Sequence, residues 1–496
     1  MKLRHHPGEH FAFNESYRRL LEDPASLHPF VTHATPEDLP VDRAPWRRTG
    51  IERSALIEIL RRHQAAAPAV LEKLAKPETL VVVTGQQPGL KGGPLFSLYK
   101  AWGALGWSRR LEAQWQTPVV AVFCNMSEDH DWAEANALVL REGNQWVKQP
   151  VPPDVPGAHL CDKAYPGPGG DTFGTAFTRH LRDHLKDEPL VILEPSWFRE
   201  MLSPFMARMV MERSGFRQDL RMATSALKLS GLPVPLEESE ALHLCHAHQG
   251  KRTRVRDAGS GRFEAGAKSW AREADILSDL KTLPRDFSCN VVSRVLSLRQ
   301  LLPVVAEVLG PSETAYHLQL QPLHARAGLV APLLLPRPHV VVLREREAKR
   351  LQKLGLEPWQ VGTLPPRGGD PRLKEAVGDR VEGIRRLWAA LEQDVSHHGD
   401  LGRRLARRRG ELEKILAWVP GAFEEAAALK DAQGLEAWKA LQDWLFPLGE
   451  PQERALSLEV LSGLTGPYWE DLRRLADPTV RMPLWATCEQ GDVDAH

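Results

Sequence analysis

The sequence predicts an α/β protein with a Rossmann-like parallel-sheet core, inserted connecting subdomains and a helical coiled-coil arm. Three observations support this prediction: apolar runs alternate with helical segments, Pro- and Gly-rich or polar stretches interrupt them, and long amphipathic helices follow. We divide the chain accordingly into an N-terminal part of the core (1–143), connecting insertions with a small β-hairpin region (144–289), a second part of the core (290–370), the helical arm (371–446) and a C-terminal helical segment (447–496).

Strands that are apolar along their whole length define the first part of the core. Leu80–Thr84 is a β-branched run that ends at a glycine, Pro118–Cys124 is a second such run, and Leu190–Leu193 is a third candidate. Apolar residues recur at helical spacing from Leu95 to Leu111. Strands buried on both faces and joined by helices are typical of a parallel sheet with helices on both sides.

The predicted insertions differ from the core in composition. Residues 144–175 are rich in proline and glycine, which predicts a loop. Leu242–His248 alternates in polarity, and the turn QGKR leads on into TRVRD. This second stretch therefore predicts a β-hairpin.

The second part of the core repeats the pattern of strand and helix. Leu302–Leu309 is predicted to be a strand, and Ser312–Ala327 a helix with Ser312 as its N-cap. Val330–Leu335 and Val340–Leu343 are predicted to be further strands.

The helical arm is predicted from apolar residues that lie three and four positions apart. The first helix carries Val377, Val381, Ile384, Leu387, Leu391 and Val395, and after the break HHGD the second carries Leu401, Leu405, Leu412, Leu416 and Val419. Two helices that pair along this apolar seam, as a hairpin or across a dimer, account for the pattern. Pro420 is expected to interrupt the second helix, with more helix following up to Leu445.

Composition narrows the class of protein. Lys plus Arg number 64 and Asp plus Glu number 64, so no net charge favours binding to nucleic acid or to an anionic membrane. No run approaches the roughly 20 apolar residues of a membrane-spanning helix, and the chain does not begin with an apolar stretch of signal-peptide length. The five cysteines are scattered without a CxxC pair, which argues against a disulfide framework. We therefore expect a cytoplasmic protein.

A glycine-rich segment, TGQQPGLKGGP at residues 84–94, connects the first predicted strand to the helix that follows it. At this place in an α/β sheet, backbone N–H groups and a helix N-terminus can hold an anion, and glycines let a phosphate approach closely. The segment is neither a Walker loop nor a dinucleotide-binding GxGxxG motif. A strand-to-helix turn that requires positive φ at glycine explains it equally well.

Ionisable residues follow the second predicted strand in the segment SEDHD. Glu128, Asp129, His130 and Asp131 lie where that strand is expected to end, and such crowding suits general acid–base catalysis or the binding of a substrate amine. His130 is the one residue among them whose ordinary pKa is near neutrality. A divalent metal site is one alternative, and a helix cap formed by Glu128 or Asp129 is another.

A third polar segment, GPSETAY, follows the strand that ends at Leu309. Glu313 is a candidate to bind an ammonium group, and Tyr316 lies about one turn further along the predicted helix. A capped and acidic first helical turn is an equally good interpretation of Ser312 and Glu313.

Two further patterns resemble functional motifs, but simpler explanations suffice. His243, Cys245, His246 and His248 are residue types that bind soft metals, yet on a strand the first two lie on one face and the last two on the other. We therefore predict a hairpin surface there. The run Arg407–Arg409 is predicted to be a solvated helix face and not a nucleic-acid patch.

Together these segments resemble one enzyme family, the cysteine-adding enzymes of bacillithiol biosynthesis. TGQQPGLKGGPLFSLYKA and PVVAVFCNMSEDHDWAEAN are similar to the family's glycine signature and to its strand followed by EDHD. NVVSRVL, LGPSETAYHLQLQPL and LPRP follow in the family's order. LHLCHAHQGKRTRVRD lies where the family has a small β insertion, and LFPLGEPQERAL resembles its segment after the coiled coil.

The resemblance implies a reaction: amide formation between the carboxyl group of L-cysteine and the amine of glucosaminyl-malate, the last step of bacillithiol synthesis. It also implies a Rossmann-type core and an arm used for homodimerisation. Because the carboxyl group must be activated, ATP is the expected cofactor, with Mg²⁺ as a candidate companion and no structural metal. The catalytic residues would be Glu128, Asp129, His130 and Asp131, and substrate or nucleotide would contact Gly85, Gln86, Gln87, Gly89, Gly92, Gly93, Asn136, Asn290, Arg294, Gly310, Glu313 and Tyr316.

Two alternatives stay open on the sequence alone. One is a nucleotide-binding oligomeric module without catalysis, which the four ionisable residues of SEDHD disfavour. The other is an amide ligase that acts on a different pair of amino sugar and amino acid. The sequence does not distinguish an acyl adenylate from an acyl phosphate as the activated intermediate.

Overall fold

The structure of the chain is a computed structural model. It describes residues 3–5, 13–40, 42–129, 132–135, 138–143, 145–149, 159–166, 170–185, 188–236, 241–361, 371–428, 432–465 and 486–490. The strands are β1 (Leu3–His5), β2 (Leu80–Gln86), β3 (Val119–Asn125), β4 (Leu138–Glu142), β5 (Gln145–Gln149), β6 (Leu190–Leu193), β7 (Ala241–His248), β8 (Lys251–Gly259), β9 (Arg262–Ala265), β10 (Lys268–Trp270), β11 (Phe287–Cys289), β12 (Val304–Leu309), β13 (Leu333–Pro336), β14 (Val340–Arg344) and β15 (Ala486–Gln490). The α-helices are α1 (Glu15–Glu22), α2 (Ala44–Arg47), α3 (Arg53–Arg62), α4 (Pro68–Ala75), α5 (Leu95–Trp115), α6 (Trp132–Ala135), α7 (Phe173–His184), α8 (Arg199–Met211), α9 (Arg213–Leu229), α10 (Glu273–Thr282), α11 (Val291–Leu301), α12 (Pro311–Arg326), α13 (Glu345–Leu354), α14 (Pro371–Asp394), α15 (Gly399–Ala428), α16 (Ala432–Leu445), α17 (Gln452–Ala455) and α18 (Leu458–Thr465).

The predicted parallel sheet is present, with the strand order β13-β12-β2-β3-β6. Every neighbouring pair in it is parallel. Its strands are the apolar runs expected of a sheet covered on both faces, and β3 is buried along its whole length. From β2 the chain moves outward to β3 and β6, and it later fills the other side with β12 and β13. The direction therefore reverses between β2 and β12, the place where open α/β sheets bind their ligands.

The predicted hairpin is also present, within a second sheet of order β10-β9-β8-β7-β11. β7 and β8 pair antiparallel, with His248 opposite Lys251. Gln249 and Gly250 between them have φ values of 51° and 74°. Two consecutive residues of positive φ form the kind of turn that matches the twist of a hairpin.

The described residues include no helix that is long and apolar enough to cross a membrane. Contacts divide the chain into two compact units. One comprises residues 1–342, 453–488 and 493–496, and the other residues 343–452 and 489–492. The first unit contains both five-stranded sheets.

In the second unit, α14 and α15 form a hairpin. Arg385 pairs with Glu413, with 3.1 Å between Nε and Oε2, and Arg409 pairs with Glu392, with 3.3 Å between Nη1 and Oε2. Arg409 and Glu392 are closer to each other in sequence than Arg385 and Glu413, and they lie nearer the connection between the two helices. This order of contacts is that of an antiparallel pair. Of the two arrangements the sequence left open, the chain shows the intrachain hairpin.

Four expectations about individual elements are wrong. The N-cap of α12 is Gly310 and not Ser312, because Pro311 takes the first helical position. Gln145–Gln149, expected in a loop, forms a strand because it pairs with β4 across a turn at Gly143. The C-terminal segment contains β15 as well as helices, since Ala486–Cys488 pairs with β1.

The fourth correction concerns Pro420. It lies inside α15, which continues from Gly399 to Ala428. A proline removes one N–H donor and tends to kink a helix. In a helix this long, turns on both sides of it persist, so the helix is not interrupted.

Candidate active site at the carboxyl edge of the parallel sheet

All five strands of the parallel sheet deliver polar residues to one edge. Glu194 follows β6, Ser127 follows β3, Gln86 ends β2, Gly310 follows β12 and Arg337 follows β13. The strand ends are level, because the sheet is parallel and in close register. Three segments that the sequence singled out therefore meet at one place.

Lys100 lies at the centre of this edge. Its side chain is 3% exposed and extends from α5. Its Nζ donates to the carbonyl oxygen of Gly85 at 2.9 Å and to Oε1 of Gln86 at 2.8 Å, and it pairs with Glu313 at 2.7 Å. Glu313 in turn accepts the N–H of Gly310 through Oε2, at 2.7 Å. A buried ammonium group needs such acceptors. Gly85 and Gln86 supply them from β2, and Glu313 supplies one from the helix after β12, so the acceptors come from both sides of the point where the sheet changes direction.

The glycines of the first motif are explained by backbone geometry. A Cβ on Gly85 would lie 2.6 Å from the carbonyl oxygen of Cys124, and one on Gly89 would lie 2.9 Å from Cα of Gly93. Gly92 and Gly93 have φ values of 82° and 69°, in the left-handed region that favours glycine. The positive-φ interpretation is thus confirmed for these two residues, and anion binding by the loop stays a prediction.

Other groups of the loop are partly engaged. The N–H of Leu95, the first of α5, donates to the carbonyl oxygen of Leu456 at 2.9 Å, and the N–H of Lys91 donates to the hydroxyl of Tyr165 at 2.9 Å. In contrast, Nε2 of Gln87 is buried without a hydrogen-bond partner among the described residues. Buried donors are rarely left unsatisfied, so a ligand or a water molecule is expected to accept from Gln87 Nε2.

Glu128 forms a buried ion pair at the end of β3. Its Oε1 lies 2.5 Å from Nε of Arg199, and the two side chains are 3% and 13% exposed. Burial alone would lower the pKa of Arg199, but the Glu128 carboxylate outweighs that effect and raises it. Nη2 of Arg199 is buried without a partner in the described part of the chain, so it is a second unsatisfied donor at this edge.

The residues on either side of Glu128 also have defined partners. The hydroxyl of Ser127 donates to Oε2 of Glu194 at 2.5 Å, and both Nη atoms of Arg294 lie 3.5 Å from Oδ2 of Asp129. Burial raises the pKa of Glu194, and the nearby charge of Glu128 adds to this. Burial opposes the charged form of Arg294, but Asp129 and other nearby anionic groups raise its pKa overall. Glu194 is therefore biased toward its protonated form, whereas Glu128 and Asp129 beside it are paired with arginines.

Two of the remaining predicted residues are Asn290, which also has a structural role, and Tyr316. Asn290 caps α11, where its Oδ1 accepts the N–H groups of Val292 at 2.9 Å and Ser293 at 3.2 Å. Burial, followed by the charge of Glu313, raises the pKa of Tyr316 well above its ordinary value. Tyr316 therefore stays neutral at the edge of the site. His130, Asp131 and Asn136 lie outside the described residues.

Reasoning from the sequence missed several charged residues of this edge. Lys100 had a visible signal, since it is the one cation in the otherwise uncharged stretch LFSLYKAWGAL. Arg337 pairs with Glu453 through two nitrogens, at 2.9 and 2.6 Å, and it lies in LPRP directly after a strand. Arg199 and Glu194 gave no local signal, because their partners are more than 60 residues away in the sequence.

The histidine-rich strand lies in the predicted hairpin, but the expected surface is found only at His248, which is exposed, since Cys245 and His246 are 2% and 3% exposed. His246 packs against the rings of Trp270 and Phe287, with centroids 5.1 and 4.9 Å away. In the part of the chain that the structure describes, no group of metal-ligand atoms within 4.8 Å of one another includes His243, Cys245 or His248.

The doubly wound sheet and the charged groups at its switch point define a Rossmann-like α/β protein with a cluster of charged and polar side chains at its carboxyl edge. Residues 41–158 and 156–338 match the family described as "Bacillithiol biosynthesis BshC, N-terminal Rossmann-like domain". Since this match spans more than half of the chain, the protein belongs to the BshC family of bacillithiol biosynthesis.

Relatives provisionally named cysteine ligase BshC extend the similarity beyond the matched domain. One from Heliobacterium modesticaldum is 29% identical over 361 residues, which are 65% of this chain and 65% of the relative. One from Shouchella clausii is 25% identical over 474 residues, 85% of this chain and 87% of the relative. One from Solibacter usitatus is 27% identical over 466 residues, 84% of this chain and 85% of the relative. The family resemblance seen in the motifs is thereby confirmed.

Proposed function

We propose that this protein is a ligase that joins the carboxyl group of L-cysteine to the amine of glucosaminyl-malate, in the last step of bacillithiol synthesis. Membership of the BshC family supports the pathway, and the names of the relatives support ligation of cysteine. The observation that carries the location of the site is the Lys100 cluster at the switch point between β2 and β12.

ATP is the proposed cofactor, because it can supply the leaving group that activates the carboxyl of cysteine; Mg²⁺ would accompany it. The unsatisfied donors Gln87 Nε2 and Arg199 Nη2 fit phosphate or carboxylate oxygens. Lys100 would act as a positioning residue, because Gly85, Gln86 and Glu313 already accept from its ammonium group.

The remaining chemistry is a proton transfer. The attacking amine must lose a proton, and a base with a pKa near neutrality accepts it best. We assign this role to His130, with Glu128, Asp129 and Asp131 orienting the amine. Glu313 acts as a positioning residue, because both of its oxygens are already engaged by Lys100 and Gly310.

The arm and the compartment complete the proposal. Leu387, Ile384 and Leu391 of α14 are 74%, 45% and 43% exposed, so part of the predicted seam is not covered by the hairpin. We propose that it pairs in a homodimer.

The state of the cysteines bears on the compartment. Cys124, Cys161, Cys245 and Cys289 are free thiols, which fits a reducing cytoplasm.

Thiol profiling of cells with and without the gene tests the pathway. We expect deletion to abolish bacillithiol and to accumulate glucosaminyl-malate, and the restored gene to reverse both changes. A ligase acting on another pair would leave bacillithiol unchanged. If the protein is a binding module without catalysis, deletion would lower bacillithiol, but the purified protein would not form it.

A further inference from the structure

A second cluster of reactive side chains lies beside the acidic segment. His159, Cys161 and Asp162 place one potential metal-ligand atom each within 4.8 Å of the others, and in the described part of the chain they form the one such group of three. Nδ1 of His159 lies 3.3 Å from Oδ2 of Asp162. Two ligand atoms bound to the same tetrahedral zinc ion at about 2.0 Å would be roughly 3.3 Å apart.

The backbone holds this cluster against the predicted active site. The N–H of Leu160 donates to the carbonyl oxygen of Asp129 at 2.9 Å, and the N–H of Cys161 donates to that of Ser127 at 2.8 Å. The segment that carries the three side chains is thus fixed directly onto the residues that flank Glu128. A ligand bound by the cluster would lie next to the acidic segment.

The histidine also has the outer partner that metal-bound imidazoles need. His159 is 3% exposed, and its Nε2 lies 3.4 Å from Oγ of Ser288. Ser288 Oγ accepts Nε–H of Arg252 at 3.0 Å and can accept from Nε2–H as well. In the tautomer that donates Nε2–H to Ser288, Nδ1 has a free lone pair and can bind a metal, as for a ligand fixed by its second nitrogen. The 3.3 Å contact between Nδ1 and the Asp162 carboxylate is the hydrogen bond that the metal would replace.

We propose that His159 Nδ1, Cys161 Sγ and Asp162 Oδ2 form a Zn²⁺ site whose fourth position takes the thiolate of the cysteine substrate. Thiolate and imidazole ligands favour zinc over the hard ions Mg²⁺ and Ca²⁺. Three protein ligands leave one tetrahedral position open. The substrate assignment rests on the proposed function, in which cysteine is the one substrate with a soft donor. This proposal differs from the expectation drawn from the sequence, which assigned no residue as a metal ligand and named only Mg²⁺ as a companion of ATP.

Elemental analysis of the purified full-length chain tests the metal site without reference to activity. We expect about one zinc per chain after gel filtration in metal-free buffer, and loss of most of it in His159→Ala and Cys161→Ser. Ser288→Ala should weaken zinc affinity about 10- to 100-fold. His248→Ala, on an exposed histidine of β7, is the matched control and should keep its zinc. Zinc absent from the wild type after reconstitution, or retained in the Cys161 variant, would overturn the site.

Cobalt spectroscopy of the wild-type chain tests the open position and does not depend on how the variants fold. Co²⁺ in the site should show a thiolate charge-transfer band from Cys161. L-cysteine should intensify and shift that band, whereas L-serine should not. A Co²⁺ spectrum that does not respond to L-cysteine contradicts the substrate assignment. Failure of the proposed ligase reaction would be seen separately, in product formation.

Discussion

Lys100 and Glu313 form an ion pair of 2.7 Å across the two strands at which the parallel sheet changes direction, and the lysine side chain is 3% exposed. The pair ties the helix that follows β2 to the helix that follows β12. Because Lys100 also binds the last residues of β2, it fixes the relative position of the glycine segment and the GPSETAY segment.

Replacing Lys100 tests whether this pair serves the reaction. Lys100→Met keeps the approximate length of the side chain but removes the charge that holds the glycine segment against Glu313, so we expect kcat/KM to fall by about 10²-fold, as when groups of a site are misplaced by about 1 Å. Circular dichroism should show an intact fold. Lys73→Met, which breaks the partly exposed pair with Glu112, is the control and should retain activity. Near-normal kinetics of the Lys100 variant would remove the residue from the mechanism.

The pair between Glu128 and Arg199 should matter for stability as well as for activity. Glu128→Gln leaves the Arg199 charge buried, and breaking one side of a buried pair destabilises a protein by about 3–5 kcal/mol. Urea denaturation should show this loss, and Glu128→Gln combined with Arg199→Met should recover part of it. Glu200→Gln breaks an exposed pair with Arg285, so a change of less than about 1 kcal/mol is expected. If Glu128→Gln and Glu200→Gln lowered the free energy of unfolding by the same amount, the pair between Glu128 and Arg199 would not be the buried, stabilising pair described.

Much of the fold followed from the sequence, because apolar strands and amphipathic helices leave local patterns. The strands at Leu80, Pro118 and Leu190, the hairpin at Leu242 and the long helices were predicted close to their observed bounds. The error at β15 arose because its partner β1 is distant in sequence. At β5 the partner β4 is adjacent, and the proline- and glycine-rich composition of the segment concealed a short strand.

The site was predictable only in part, for the same reason. The strand ends that carry Gln86, Glu128 and Glu313 could be inferred from a parallel sheet, since its carboxyl ends share one edge. Arg199 could not, because it reaches Glu128 from a helix 71 residues further along the chain.

Acid should destabilise the protein through buried neutral histidines. Burial, aided by the charge of Arg299, lowers the pKa of His324 to about 3. The unfolded chain therefore takes up a proton near pH 6.5 that the folded chain does not, so stability falls as the pH drops from about 6.5 toward 3. This one group contributes a slope of up to about 1.4 kcal/mol per pH unit. His324→Gln should flatten the dependence of unfolding free energy on pH between 6.5 and 4.5, and an unchanged slope would show that His324 is charged in the fold.

The arm should associate through the apolar residues that its hairpin leaves exposed. Leu387 is 74% exposed on α14, so Leu387→Asp should convert a dimer into a monomer in light scattering at micromolar concentration. Leu229→Asp is the control, since Leu229 is 90% exposed at the end of α9, which is not part of the arm. A monomeric wild type under the same conditions would contradict the proposed dimer.

The ligase reaction itself is the most direct test of the function proposed for this site. Purified wild-type chain is incubated with glucosaminyl-malate, L-cysteine and ATP with Mg²⁺, and the products are identified by mass spectrometry. We predict a product with the mass of the two substrates less one water, formed together with cleaved nucleotide and absent when ATP is omitted. Both substrates remaining unconverted in the presence of ATP, with the folded dimer intact, would contradict the proposal.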